Sequence, residues 1–405
     1  MGKLERLLLI GLSMLIPAII FSPTIHARLL GYAYPLRFEY ILLLFLLPLW
    51  LIQSVRTKAK IKFGPFWPAM AIYLLACLAS TIYGFFIRGS VKNPADAILI
   101  LLKIMEHYVI FLLAINIIKK KSHIRLCVIL WLLASIIVAI YGFFDNPVGP
   151  QGLTGRFDRG WYFQQSNHMG GFLVMSFILA MCLAMENVPK TEKVLSSSAL
   201  PFLLMVILIT YSRITYLSFF AGLLILGILR HKKLLYIILA GLMIFLVIIP
   251  RFSPHSYLGF RGRTLLTQAL NLGTDTRDPA DSASSHRQRI KDTFDRLPQH
   301  LVLGEGMGAR PLWQYDSQLA FVPGSTGLIG SAAFVYLLFI IMITLSKAYT
   351  REGDPHKQAL ATACLVSFIS MLVHGITTVA FFVILTAGPL WFLIGLVTAG
   401  SKIKD

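Results

Sequence analysis

Apolar stretches long enough to cross a bilayer recur along the whole chain, and no other feature limits the fold so tightly. Crossing the hydrocarbon core as a helix takes roughly 20 predominantly apolar residues. A helix does this without water because all its backbone N–H and C=O groups pair internally. Hydrophobic runs between charged breaks give about twelve such segments: 7–22, 37–54, 64–87, 96–118, 126–144, 168–185, 198–211, 214–229, 234–250, 326–346, 358–380 and 383–400. Composition agrees, with 57% of the 405 residues hydrophobic and only 14% charged, where soluble domains carry about a quarter charged residues. A soluble globular enzyme, a disordered chain and a disulfide scaffold are excluded. The expected fold class is an all-α polytopic membrane protein of about 12 transmembrane helices. The pair 198–211 and 214–229, separated only by Ser212 and Arg213, leaves one long interrupted helix as an alternative. The apolar run after Met1-Gly2-Lys3-Leu4-Glu5-Arg6 resembles a signal sequence. It lacks a small-residue cleavage site, which reads as a retained first span.

The formal charge is +19. Cytoplasmic loops of membrane proteins accumulate Lys and Arg, so the excess reports orientation and not a nucleic-acid partner. With the N-terminus inside, alternate loops place 20 basic residues on one side and seven on the other, while 251–325 adds nine. Long loops translocate regardless of charge. Both termini are therefore expected in the cytoplasm and 251–325 outside. The expected division is helices 1–9 over 1–250, an extracytoplasmic subdomain over 251–325, and helices 10–12 over 326–405. Within that subdomain, apolar residues every three to four positions over 285–299 predict an amphipathic helix, capped by Ser284 or Ser285 and ended near Pro298. Cys77, Cys127, Cys182 and Cys364 all fall in apolar segments without a CxxC pair, which fits neither a metal site nor a disulfide framework.

Several polar groups could carry chemistry. Arg287, Arg289, Lys291 and Arg296 cluster on the predicted helix, with Arg289 and Arg296 on one face. Guanidinium groups bind phosphate oxygens in pairs, although Asp292 and Asp295 also suit a solvated, mixed-charge face. Arg213, in Tyr211-Ser212-Arg213-Ile214-Thr215-Tyr216, stands at the outer membrane edge. There it either snorkels to headgroups or meets an anionic lipid-linked substrate. Lys103, Glu106 and His107 share the fourth span at spacings that put Lys103 beside both partners. They read either as a proton relay or as a self-neutralised group facing the bundle interior. His374 reads as a hydrogen-bonded structural histidine. The loop 145–167 mixes Arg156, Arg159, aromatic rings and amides just before Asn167 and His168. It suits sugar binding, and it equally suits interface anchoring. Asp316, in Trp313-Gln314-Tyr315-Asp316-Ser317, could act as general base toward a sugar hydroxyl. No Walker, HExxH or GxSxG motif occurs, and no convincing DxD pair.

These pieces follow an order that resembles the O-antigen ligase / O-antigen polymerase superfamily of bacterial envelope glycosyltransferases. Gly155-Arg156 followed by Ser166-Asn167-His168-Met169-Gly170, Thr210-Tyr211-Ser212-Arg213, Ser285-His286-Arg287 followed by Leu303-Gly304-Glu305-Gly306, and Asp316-Ser317 followed by Gly327-Leu328-Ile329-Gly330 carry the likeness. The resemblance implies a C-type membrane transferase facing the periplasm from the inner membrane, needing neither metal nor cofactor. Its donor would be a glycan on undecaprenyl diphosphate. Its acceptor would be lipid A–core for a ligase or another lipid-linked unit for a polymerase, and membrane lipids would surround it. Carried over by position, Arg213 and Arg287 would hold the diphosphate; the residue patterns above add Arg289, Arg156, Arg159, Asn167 and His168 as candidate substrate-binding groups. Ligases of the family typically have His-x-His-Asn where this chain has Gln314-Tyr315-Asp316-Ser317. Asp316 would have to supply the base, which favours a polymerase-like member. A transporter or flippase of lipid-linked sugars is the rival from another class, and a proton-coupled permease using Lys103, Glu106 and His107 is a more distant one.

Overall fold

The structure is a computed structural model; it describes residues 2–22, 25–29, 32–144, 166–210, 212–230, 232–244, 248–252, 282–311, 314–315 and 317–403. Among the sequence candidates, Arg156, Arg159 and Asp316 lie outside the described residues, as does most of the loop 145–167. Among the described residues the chain is a helical membrane bundle with one antiparallel hairpin, β1 (Ile25–Leu29) and β2 (Tyr32–Leu36), pairing Ile25 with Leu36. The helices are α1 (Lys3–Ser13), α2 (Leu15–Ile20), α3 (Phe38–Arg56), α4 (Trp67–Tyr83), α5 (Pro94–Ile117) and α6 (Lys121–Phe144). Next come α7 (Ser166–Met185), α8 (Lys190–Ile209), α9 (Arg213–Arg230), α10 (Lys232–Met243) and the short α11 (Ile249–Phe252). The last four are α12 (Ser282–Arg296), α13 (Gln318–Arg351), α14 (Pro355–His374) and α15 (Ile384–Gly400).

Each of the twelve apolar segments contains a helix. Among the described residues, nine helices are long and apolar enough to span a bilayer. The shortfall has local causes. The first segment breaks into α1 and α2 at Met14, because the Pro17 ring collides with the carbonyl four residues back, that of Ser13. The ninth segment yields α10 with only 12 residues and the last yields α15 with only 17. The pair 198–211 and 214–229 resolves as two helices, α8 ending at Ile209 and α9 starting at Arg213. The amphipathic helix starts at Ser282 and gives way at Leu297 to a 3-10 turn containing Pro298. The late span begins at Gln318, inside the stretch expected to be loop, and is interrupted at Gly327, whose backbone is non-helical.

The core forms around α15. All its residues are buried, as expected for a helix apolar on every side, and it packs against α2, α5, α6, α7, α13 and α14. One end of the bundle is laced by ion pairs: Lys119–Glu5 at 2.7 Å, Lys121–Asp354 at 2.9 Å, Arg230–Glu186 at 3.0 Å, and Glu192 shared by Arg125 at 3.1 Å and His356 at 2.7 Å. A further pair is deeply buried. Arg37 meets Glu39 at 2.5 Å with side-chain exposures of 3% and 0%, and its Nη2 donates to the Ile19 carbonyl. Truncating one partner strands the other as a buried charge, at a cost of about 3–5 kcal/mol. Glu39→Ala should therefore sharply lower the thermal unfolding midpoint of the purified protein, and adding Arg37→Met should recover much of the loss. Equal midpoints for the single variant and the parent would contradict this role.

Candidate functional site

Three polar assemblies meet at the other end of the bundle. The first seats Arg213. Thr210 closes α8 by donating its hydroxyl to the Ile207 carbonyl at 2.7 Å. Ser212 then caps α9, accepting the Thr215 N–H at 3.3 Å, and donates its own hydroxyl to Asn167 Oδ1 at 2.6 Å. Arg213 is thus fixed, half-buried, at the first residue of α9. The Asn167 carbonyl accepts from His374 Nε2 at 2.9 Å, and His374 Nδ1 lies 3.1 Å from the Ser218 hydroxyl. A carbonyl can only accept, so Nε2 carries the ring proton; the Ser218 hydroxyl beside Nδ1 donates to the Thr215 carbonyl at 3.0 Å. His374 is fully buried and ties α14 to α7 and α9, which is the structural role its sequence context suggested. Gly170 lets α7 and α9 approach closely, since a Cβ there would fall 1.9 Å from Thr215 Oγ1.

The second assembly is an interlock between residues 301–306 and the break in α13. At Gly327 the helix adopts φ 63°, and the backbone groups released around it pair with the other segment. Glu305 N–H donates to the Gly324 carbonyl at 2.9 Å and Gly306 N–H to that of Ser325 at 2.9 Å. In return, Leu328 N–H donates to the Leu301 carbonyl at 2.8 Å and Ile329 N–H to that of Val302 at 3.2 Å. The Ser80 hydroxyl lies 2.5 Å from the Leu303 carbonyl and 2.6 Å from that of Ser325, tying α4 to both strands of the junction. Gly304, at φ +71°, and Gly327 are required here, because a Cβ on either would lie 2.5 Å from the opposing backbone.

The third assembly is ionic. Glu305 accepts from Arg310 Nε at 2.5 Å and Nη2 at 2.9 Å, a bidentate pair, and Arg296 Nε stands 3.7 Å from the same carboxylate. On α12, Arg289, Thr293 and Arg296 share the face toward α13, with Thr293 buried and donating its hydroxyl to the Arg289 carbonyl at 2.9 Å. Arg287 is exposed on another side of the helix. Arg289 and Arg296 therefore share a face, while Arg287 and Arg289 do not. Tyr315 is buried, with its ring edge-on to Phe321 at 5.3 Å. Burial pushes its phenol up to about 12, so it stays protonated near neutral pH and is no candidate base. His168 begins α7 half-buried, one residue after Asn167.

A chain of contacts links these groups. α12 packs on α13, and Gln318 N–H at the start of α13 lies 2.9 Å from the carbonyls of both Gly375 and Thr378, just past His374. His374 holds Asn167, which holds Ser212 beside Arg213. Sequence reasoning missed Ser80, Glu305 with Arg310, and the Ser218–His374 contact. The glycines at 304, 306 and 327 were the available signal for the interlock, but spacing alone names no partner.

Residues 198–331 match the family model described as O-antigen ligase. Arg213, Arg287, Arg289 and Asp316 all fall inside that stretch, as does the whole interlock except Ser80. No curated protein matches the chain. Gly327→Ala should open the interlock, exposing 297–311 to a new proteolytic cut while the protein still inserts. Ser80→Ala should cost less, roughly 1–3 kcal/mol for two buried carbonyls losing a donor, read as a lowered midpoint without the new cut. A resistant Gly327→Ala protein would refute the assigned geometry.

Proposed function

We propose, from the match of residues 198–331 to the family model described as O-antigen ligase, that the chain transfers a glycan from undecaprenyl diphosphate to a sugar hydroxyl at the periplasmic face of the bacterial inner membrane. The observation that carries this reading is the seating of Arg213 within the matched stretch, fixed by the Ser212–Asn167–His374 chain at the end of the bundle that also holds α12. A cation at the first residue of a helix stands at the positive end of the macrodipole, which costs a few tenths of a kcal/mol or more. Such a placement makes sense where the combined positive field meets an anion.

In the proposed reaction the acceptor hydroxyl attacks the anomeric carbon of the donor sugar. The new C–O bond forms as the bond to the diphosphate oxygen breaks, and the hydroxyl proton passes to Asp316. Undecaprenyl diphosphate leaves with its developing charge met by Arg213 and Arg287, so that preorganised cations supply the stabilisation without a metal. Arg289, facing α13, extends this cationic lining, and Asn167 and His168, with Arg156 and Arg159, orient the saccharides. In this reading the helices over 1–250 and 326–405 form the membrane scaffold and carry Arg213, and 251–325 supplies Arg287 and Arg289. Asp316 in place of the ligase histidine favours polymerisation, with another lipid-linked unit as acceptor, over transfer to lipid A–core.

Purified protein in liposomes, given labelled lipid-diphosphate glycan alone, should produce a ladder of longer lipid-linked products and should do so in EDTA. A single unextended band would indicate a ligase or a transporter. Adding lipid A–core separates these, because only an enzyme makes a new glycosidic bond. Arg213→Ala and Arg287→Ala should each lower product by at least two orders of magnitude, as loss of a charge-stabilising donor does, with normal accumulation of the protein. Near-normal product from either variant would defeat the mechanism.

A further inference from the structure

The sequence singled out His107 without giving it a task, and the proposed reaction does not use it. In the structure His107 lines a cavity with about 30 Å³ of room for water, between α4, α5, α13, α14 and α15 with the segment leading into α15. Tyr73 of α4 and Gln318 of α13 line the same cavity, and the remaining wall is almost wholly apolar, including Phe334, Phe368, Phe381 and Trp391. Tyr73, His107 and Gln318 are exposed by only 3%, 2% and 5%. His107 Nε2 and Gln318 Nε2 are fully buried with no hydrogen-bond partner among the described residues, and Tyr73 Oη, also fully buried, meets only the weakly bonding Cys77 thiol one turn along α4. Gln318 Oε1 accepts from Phe381 N–H at 3.3 Å, which turns the amide nitrogen the other way.

Leaving such groups unpaired costs about 1–3 kcal/mol each, and a void in a membrane bundle has no bulk solvent to relieve it. A buried water needs two to four polar partners and room for at least one probe sphere, about 10–15 Å³. This cavity supplies three partners and space for one or two waters. It is far too small for a sugar, since ligand pockets run to about 300–1,000 Å³.

We propose that the cavity is a dedicated water site, in which an ordered water accepts from Gln318 Nε2–H and bonds to His107 Nε2 and Tyr73 Oη. The water couples the middle of α5 and α4 to the first residue of α13. It gives His107 a structural role, holding the Gln318 side chain at the start of α13. The inference stands on the three buried atoms and does not depend on the proposed glycosyl transfer.

Two measurements test it on the full-length protein. A high-resolution map of the parent should show a solvent peak within roughly 2.7–3.2 Å of at least two of the three atoms; a dry cavity overturns the proposal. In thermal unfolding, Tyr73→Phe and Gln318→Met should each lower the midpoint, and the double variant should fall by clearly less than the sum, because both act through one shared molecule. Strictly additive shifts would mean that the atoms are solvated separately or not at all, and would also overturn it. If Gln318→Met fails to fold, His107→Leu takes its place in the same cycle.

Discussion

Backbone polar groups inside a membrane bundle must find partners within the protein, and the arrangement around α13 follows from that requirement. Breaking a helix at Gly327 releases N–H and C=O groups that lose their partners within the helix. The segment 301–306 repairs the break by lying against it and exchanging four backbone hydrogen bonds. Irregular backbone survives at depth only when another piece of protein completes it, so the late loop and the broken helix form one unit. Ser80 brings α4 into that unit, and the Glu305–Arg310–Arg296 cluster locks its outer edge.

This interlock explains why the glycines at 304 and 327 are needed together. Each removes a Cβ from the path of the other strand, and each adopts a left-handed φ. Either glycine alone would be useless, because the close approach is mutual. The same economy of space recurs where Gly170 faces Thr215, bringing α7 against α9 so that Asn167 can reach Ser212. Short-range packing of this kind places Arg213 through its neighbours: the guanidinium is carried by a helix start held by two hydrogen bonds, Ser212–Asn167 and Ser218–His374, to two other helices.

Much of the bundle is legible in the sequence because hydrophobic length is a local property. Every apolar segment contains a helix, and the division at Ser212–Arg213 can be read from the polar residues there once their capping chemistry is recognised. What is not legible is long-range or depends on single residues. The break at Met14 needs the collision of Pro17 with a carbonyl four positions back, which a window average hides. Wholly apolar α15 reads as just another span, although its uniform composition reflects burial on all sides. Glu305 gives no sign in sequence that Arg310 will hold it, and Arg37–Glu39 reads as a loop boundary although both side chains are buried. The shared face of Arg289 and Arg296 was legible from helical geometry; the separation of Arg287 from that face follows from the same geometry and was overlooked.

That separation bears on how the proposed cations would divide their work. A helix turns about 100° per residue, so two arginines two positions apart cannot present one surface. Arg289 faces the packed side of α12, beside Thr293, while Arg287 stands exposed. A leaving diphosphate held by Arg213 and Arg287 would therefore approach α12 from its open side, and Arg289 would act from the protein side, nearer the interlock. The two positions then differ in kind. Losing the exposed guanidinium removes a contact to the anion with little effect on the fold, whereas losing Arg289 also loosens the packing of α12 on α13. Stability measured beside turnover distinguishes these, since only Arg289→Ala should lower both together.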